Sequence, residues 1–484
     1  MGFLKGFIEF QRIEVAHRPI AERIHDFKEL IGTLSDEEAK IQAGRCMDCG
    51  IPFCMHQCPL HNDSPDFNEF VCEEQMQKAY NVLSSTNNFP EITGRICPGL
   101  CEEGCTLGIH RQPVGIKSIE KKIAEYAFSH GYVKAIKVKS RTHKHIAIVG
   151  SGPAALACAQ NLNRLGHDVT IYEKNKKAGG LLRYGIPDFK LEKGILDRRI
   201  AQLELEGINF KTSTIVGSKK DLEAGVRCDA LEEVSGDELL NSYDAVVLAP
   251  GSEAPRDLKI PGRKLKNIHF ALEFLIAQNL ENNGDGENSI NVKGKKVAVI
   301  GGGETASDCI GTAIRKGARS VVQIDYHEEL PENVDLSLVW PDWRKIKRTS
   351  TSQEEGCTRL FATNTLAFEG DNKVQSLKLQ KVKWGEGRHF DGIAGTESTL
   401  DVDVVLIAMG YSHPCANLAK EFKVETDKRG NIQAPTSGKN AYCTSNPKVF
   451  ASGDGRKGQS LVVYAIAEGR ECAKSVHEYL MSQK

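Results

Sequence analysis

An excess of charge of either sign is what the chain most plainly lacks. There are 63 lysines and arginines against 64 aspartates and glutamates, a net charge of −1 over 484 residues. That balance excludes a general basic field that would draw nucleic acid or an anionic membrane. No apolar run approaches the roughly 18 residues that span a bilayer. The opening stretch, Met1-Gly-Phe-Leu-Lys-Gly-Phe, lacks an apolar core followed by a small-residue cleavage site, so no secretory signal is expected. Gly6 stands where a myristoylation signal wants Ser or Thr. The basic stretch from Lys134 to Lys144 lacks interleaved aromatics and reads as a solvated linker, not a nucleic-acid site. A cytoplasmic protein that binds neither membrane nor nucleic acid is expected. The composition, 40% hydrophobic and 26% charged, is ordinary for a globular protein, and the length suits about three domains.

Cysteine, by contrast, is plentiful, with 15 residues. Disulfide frameworks belong to small exported chains, so clustered cysteines here read as metal or cluster ligands. Seven fall in two groups, Cys46-x2-Cys49-x4-Cys54-x3-Cys58-Pro59 and Cys97-Pro98-x2-Cys101-x3-Cys105. Thiolates are soft, anionic donors that suit iron, and short spacings let one loop wrap a cluster. Ferredoxin runs end in Cys-Pro, and their last cysteine serves the other cluster. A crossed arrangement is therefore expected. Cys46, Cys49 and Cys54 share one cluster with a cysteine of the second group, and Cys58 joins the other. Structural zinc is the competing reading, with His56, His61 and His110 able to complete a set. It fits less well, because there is one Cys-x2-Cys pair and seven sulfurs do not divide into two fours. The remaining Cys72, Cys158, Cys228, Cys309, Cys357, Cys415, Cys443 and Cys472 read as small buried hydrophobes.

Residues 1–143 look helical, with apolar residues at helical spacing over Ile20–Leu30 and Ser118–Phe128. Strand, glycine turn and helix then follow twice. The first turn is Gly150-Ser-Gly152-Pro153-Ala154-Ala155, and acidic Glu173 lies 23 residues after Gly150 at a strand end. The second is Gly301-Gly-Gly303-Glu304-Thr305-Ala306, with Asp325 placed 24 residues after Gly301. Glycines at these positions let a backbone approach a pyrophosphate at a helix N-terminus, and the acidic residue accepts from a ribose. Asp325 would bond the 2′-hydroxyl of NADH and repel a 2′-phosphate. Lys316, Arg319, Arg344 and Arg348 are the cations that could hold such a phosphate instead. The small residues of Gly179-Gly180-Leu181-Leu-Arg-Tyr-Gly185 suit close packing against a large ring system. The stretch Val449–Asp454 returns to a strand after the second unit. Two doubly wound α/β domains are expected, the second inserted within the first. The boundaries are 1–143, then 144–262 with 410–484, and 263–409 for the insert.

Longer stretches carry a resemblance. They are Ala43-Gly-Arg-Cys-Met-Asp-Cys-Gly-Ile-Pro-Phe-Cys54, Gly179-Gly-Leu-Leu-Arg-Tyr-Gly-Ile-Pro-Asp-Phe-Lys190, Trp340-Pro-Asp-Trp343, Thr349-Ser-Thr-Ser-Gln-Glu-Glu-Gly356 and Gly453-Asp-Gly-Arg-Lys-Gly-Gln-Ser-Leu-Val-Val463. Over essentially its whole length the chain resembles the small (beta) subunit of glutamate synthase. The resemblance implies FAD in the first α/β domain, NAD(P)H in the second, and two [4Fe–4S] clusters in the helical domain. It gives Cys46, Cys49, Cys54 and Cys105 to one cluster, and Cys58, Cys97 and Cys101 to the other, with Glu120 at the fourth position. It also implies that Lys174, Gly180, Leu181, Gly251, Gly453, Asp454, Gln459, Ser460 and Leu461 contribute to the FAD site. No general acid or base is implied. Hydride would pass from NAD(P)H to FAD, and single electrons through the clusters to a large FMN-containing subunit that makes glutamate from glutamine and 2-oxoglutarate. A hetero-oligomer follows, since this sequence has no candidate glutaminase domain or FMN barrel. Related modules occur in dihydropyrimidine dehydrogenase, ferredoxin:NADP oxidoreductase and sulfide dehydrogenase. The Trp340-Pro and Ser/Thr-Glu-Glu-Gly stretches favour glutamate synthase. A zinc-stabilised binding protein with degenerate nucleotide folds is the other class considered, and the intact glycines and acidic partners speak against it. One departure is Pro250, where the family's turn usually has threonine; proline removes a backbone donor there.

Overall fold

Two parallel sheets carry the two glycine turns. The computed structural model describes residue 3, residues 5–223 and residues 225–483. The first sheet has the order Val449–Ala451, Ala245–Leu248, His145–Val149, Asp168–Tyr172, Asn209–Lys211. The second has the order Cys357–Leu360, Ser320–Ile324, Lys296–Ile300, Val404–Ile407, Ile268–Phe270. Residue runs such as Ile146–Val149 and Val404–Ile407 are buried throughout, because helices cover both faces of a parallel sheet. The strand Val449–Ala451 rejoins the first sheet after the second is complete. The second α/β unit is therefore an insertion, as the return of strand pattern after Gly410 implies.

An antiparallel sheet inside the insertion was not legible in the sequence. Thr363–Glu369, Ser376–Trp384, Phe390–Gly392 and Ser398–Asp401 form it. Leu377 and Leu379 point one way and pack with Ile300, Val405 and Ile407 of the parallel sheet. Their polar partners on alternate positions face outward, the period-2 pattern of a half-buried strand.

The helical layer is built from short helices between Gly6 and Ser129. The helix expected at Ser118–Phe128 spans Ile116–Ser129, with Ile119, Ile123 and Ala127 buried on one face. The helix expected over Ile20–Leu30 is not formed beyond Ile20–Arg23. Its backbone is claimed elsewhere: Leu30 accepts from Arg18 N–H and donates to the Phe189 carbonyl. Tertiary pairing overrides helical periodicity there. The helical layer and the first sheet share one apolar core that includes Phe67, Phe89, Ile119, Ile146, Leu156 and Ile466. Helices Pro153–Arg164 and Val462–Ser482 cross beneath it so closely that a Cβ on Gly469 would lie 2.2 Å from the Ala154 carbonyl oxygen.

Candidate functional site

Both glycine turns are built alike. Gly150 has φ +103° and Gly301 φ +139°, a region that side chains disfavour. A Cβ there would meet a neighbouring strand's carbonyl, Ala249 O at 2.3 Å and Ala408 O at 2.2 Å respectively. Gly152 and Gly303 differ. Both are N-caps with negative φ, and a Cβ on either would meet nothing within 4 Å. The space is on the side from which a pyrophosphate would approach the helix N-terminus. Ala155 and Ala306 are fully buried at the third motif position, where a small residue lets helix and strand pack closely. Pro153 takes the first helical turn, where its missing N–H costs nothing.

A long cleft runs from the first turn. Gly150, Gly152, Pro153, Ala154, Glu173, Lys174, Gly180, Leu181, Gly251, Asp454, Ser460 and Leu461 all line it. Glu173 accepts from Ser151 Oγ at 2.5 Å and from Asn175 N–H at 2.8 Å. A carboxylate has about four acceptor positions, so capacity remains for ribose hydroxyls. Burial pushes its pKa up, opposed by Lys174. Asp454 accepts from Ser460 Oγ, and burial pushes its pKa up to about 6. Lys174 lines the cleft with its ammonium already held by both oxygens of Glu253, at 2.5 and 2.6 Å. Gly453 is buried next to the lining, and Gln459 is exposed and does not line the cleft. A Cβ on Gly453 would lie 2.6 Å from Ala154 Cβ, and Gln459 Oε1 accepts from Tyr411 N–H. Ser151, which links Glu173 to Gly179 N–H, was missed in the sequence although it sits inside the fingerprint. Pro250 packs on Gly455, whose Cβ would lie 2.9 Å from its ring.

The second turn is open to solvent at Gly302, Gly303 and Glu304, with Thr305 half-buried. Asp325 leans over it: a Cβ on Gly302 would lie 1.8 Å from Asp325 Oδ2. Its other oxygen accepts from His327 N–H and pairs with His327 Nδ1 at 2.9 Å. Glu304 would repel an anion at a helix N-terminus, and Lys190 at 3.0 Å offsets it. The four cations considered for a 2′-phosphate are committed or misplaced. Arg344 and Arg348 bind Glu103. Lys316 binds Glu281, and Arg319 precedes Ser320–Ile324, at the opposite end of that strand from Asp325.

Cys46, Cys49, Cys54 and Cys105 line one small, mostly apolar cavity with Phe53, Pro65 and Leu107. Burial pushes the Cys46 thiol up to about 11 and Cys54 up to about 12. Asn68 lines the same cavity beside Cys46. Its Nδ2 and Oδ1 complete no hydrogen bond with a protein oxygen or nitrogen; the group it reaches is the Cys46 sulfur, whose pKa burial raises and the amide lowers. Cys58, Cys97, Cys101 and Glu120 form a second set; burial chiefly, and the nearby Glu120 in smaller part, raise the pKa of all three thiols. Glu120 is buried, and burial pushes its carboxyl up to about 7. Asn87 Nδ2 and Thr93 Oγ1 both donate to its Oε1. Among the described residues, no three Cys, His, Asp or Glu side chains converge as a single metal ion requires. Thiolates on a cubane each bind a different iron and stand further apart, so these two sets suit a cluster better than zinc. Of the scattered cysteines, Cys158, Cys309, Cys415 and Cys472 are buried as expected; Cys72, Cys228, Cys357 and Cys443 are only half-buried.

The insertion also grips the helical layer, which the sequence did not reveal. Trp340 packs on Phe53 with ring centroids 4.6 Å apart. Glu103, between two cysteines, accepts from Arg344 at 2.5 Å. Glu355 holds Arg23 at 2.6 Å and Arg315 at 2.5 Å, with all three side chains buried.

Residues 144–469 match the pyridine nucleotide-disulphide oxidoreductases, and residues 23–132 match the 4Fe-4S domain II of dihydropyrimidine dehydrogenase. Mycobacterium tuberculosis FprA in complex with NADPH has the same α/β fold, with a TM-score of 0.52 at 19% identity, covering 70% of this chain and 85% of that one. No described helix is long and apolar enough to cross a membrane. The class is thus an oxidoreductase that uses FAD, NAD(P)H and iron–sulfur chemistry. The small chain of glutamate synthase [NADPH] from Mycobacterium tuberculosis is 42% identical over 98% of this chain and 96% of its own length. The Saccharomyces cerevisiae glutamate synthase [NADH] is 40% identical over 99% of this chain, which spans 22% of that longer protein. The chain belongs to the glutamate synthase small-chain family.

Proposed function

We propose that this chain is the electron-input subunit of a glutamate synthase. Bound FAD and two [4Fe–4S] clusters would supply hydride acceptance from NAD(P)H and one-electron transfer onward to a large, FMN-containing subunit. The carrying observation is contiguity: Ile96 lines the cleft of the first glycine turn, and Cys97 of the second thiol set follows it directly. The chain's own residues bind and orient. Gly150, Gly152 and Glu173 receive FAD phosphate and ribose, and the N-terminus of helix Val462–Ser482 faces the cleft through Ser460 and Leu461. Gly301, Gly303 and Asp325 receive the nicotinamide coenzyme. Cys46, Cys49, Cys54 and Cys105 hold one cluster; Cys58, Cys97, Cys101 and Glu120 hold the other. Asn87 and Thr93 fix one oxygen of Glu120, as outer partners orient ligands at metal sites. The domains run 1–143, 144–262 with 410–484, and 263–409. The names of the bacterial relatives, each a small chain, support a hetero-oligomer with a large chain, working in the cytoplasm.

Coenzyme preference follows from Asp325. A carboxylate beside the loop favours a ribose hydroxyl and repels a 2′-phosphate, and the four nearby cations are otherwise engaged or at the wrong strand end. NADH is the expected donor. In an anaerobic titration of the purified chain, NADH bleaches the flavin absorbance at lower concentration than NADPH. Asp325→Ala should raise the Kd for NADH roughly tenfold, the scale of one charge-assisted hydrogen bond. Bleaching by NADPH alone, or unchanged NADH affinity in the variant, would sink the assignment. Co-purification with an FMN-containing large chain tests the partner; reduction of a ferredoxin in its place would overturn it.

A further inference from the structure

We propose that Asn68 donates a hydrogen bond to the cluster held by Cys46, Cys49, Cys54 and Cys105 and thereby sets its reduction potential, an inference that rests on the ligand set proposed above. Helix Ser64–Cys72 buries Ser64, Phe67, Asn68 and Val71, the i, i+3, i+4, i+7 stripe of a core-facing helix. An amide on that stripe is out of place unless it has a partner. Asn68 is 1% exposed, neither of its amide atoms bonds a protein oxygen or nitrogen, and the sulfur of the proposed ligand Cys46 is the group beside it. Buried side-chain polar atoms are nearly always satisfied, and an orphan calls for a missing group.

The cavity Asn68 enters supplies that group. Its wall carries the four cysteines, apolar side chains such as Met47, Phe53 and Leu107, and two hydroxyls, Ser64, which donates to the Asn62 carbonyl, and Thr106. Neither hydroxyl is bonded to Asn68, which leaves sulfur as the acceptor it faces. Cluster sulfurs and cysteine thiolates are acceptors, and their negative charge grows when the cluster takes an electron. A donor therefore stabilises the reduced form more than the oxidised form, and raises the potential. Asn68 carries no bond to iron, so it acts as a positioning and tuning residue.

The test is an EPR-monitored redox titration of the anaerobically purified full chain, with iron and sulfide assayed on each sample. Asn68→Leu keeps the volume and removes the donor. The expected result is a shift of about tenfold toward the oxidised form, a fall of about 59 mV for a one-electron couple. The cluster at Cys58, Cys97 and Cys101 keeps its midpoint and serves as the internal control. Asn68→Gln, which retains an amide, recovers part of the shift. An Asn68→Leu protein with full iron content and an unchanged midpoint overturns the proposal. Should Asn68→Leu hold no cluster, Asn68→Ala decides: it removes the amide without adding bulk or charge, so a lowered midpoint supports the role and an unchanged one refutes it. Failure of the ligand set itself looks different, as a wild-type EPR spectrum left intact by Cys46→Ser.

Discussion

Glu355→Ala is expected to destabilise the chain by about 3–5 kcal/mol, the cost of leaving buried charge unpaired. The carboxylate sits between two guanidiniums, and the side chains of Glu355 and Arg315 are 0% exposed while that of Arg23 is 3% exposed. Arg315 retains the face of Phe189, 3.9 Å away, and the Gly311 carbonyl. Arg23 retains the Thr351 carbonyl and the more exposed Glu354. These neutral or solvent-screened partners cannot replace a buried carboxylate. Urea unfolding followed by circular dichroism measures the loss. A midpoint within error of wild type would show that water or Glu354 takes over. Replacing all three residues with apolar side chains of similar volume should be far less harmful than removing Glu355 alone.

Gly152→Val is expected to empty the FAD site while leaving the fold standing. Gly152 has φ −69° and ψ −179°, ordinary extended backbone, and open space where a Cβ would be. A branched side chain there starts from a Cβ in open space and blocks pyrophosphate approach. The purified variant should be colourless in the flavin region, with affinity lowered by at least a hundredfold on flavin titration, equivalent to about 2.7 kcal/mol. Its far-ultraviolet dichroism should match wild type. Gly150→Val is the contrasting case: the Ala249 carbonyl and a φ of +103° oppose it, so the fold itself should suffer. A Gly152→Val protein that binds FAD normally would show that the cofactor does not approach the turn.

The glycine turns were legible because each glycine answers a local need, a positive φ or a close approach, that leaves a mark in sequence. The acidic partners were legible because a strand of fixed length separates them from the turn. The two thiol sets followed from spacing and resemblance, and the structure brings each together. The grip of the insertion on the helical layer was hidden. Glu103, Trp340 and Arg344 lie 237 or more positions apart across that contact, and nothing local distinguishes Arg344 facing a phosphate from Arg344 facing Glu103. The lost helix after Arg23 has the same origin: its apolar spacing is genuine, but a buried arginine and the backbone bonds of Leu30 to Arg18 and to Phe189 decide its shape. Asn68 lay between these extremes. An amide sharing a helical stripe with Phe67 and Val71 is visible in sequence, though its neighbours are not.

The bond from Arg23 to Glu355 spans 332 positions, and it bears on how the chain is made. Ribosomes deliver about 5–20 residues per second, so Arg23 emerges roughly 15–65 s before the carboxylate that neutralises it. For that interval the first segment of the protein carries a charge it cannot bury. That charge is buried only once the inserted domain has been made, so a later stretch of the chain closes over the first.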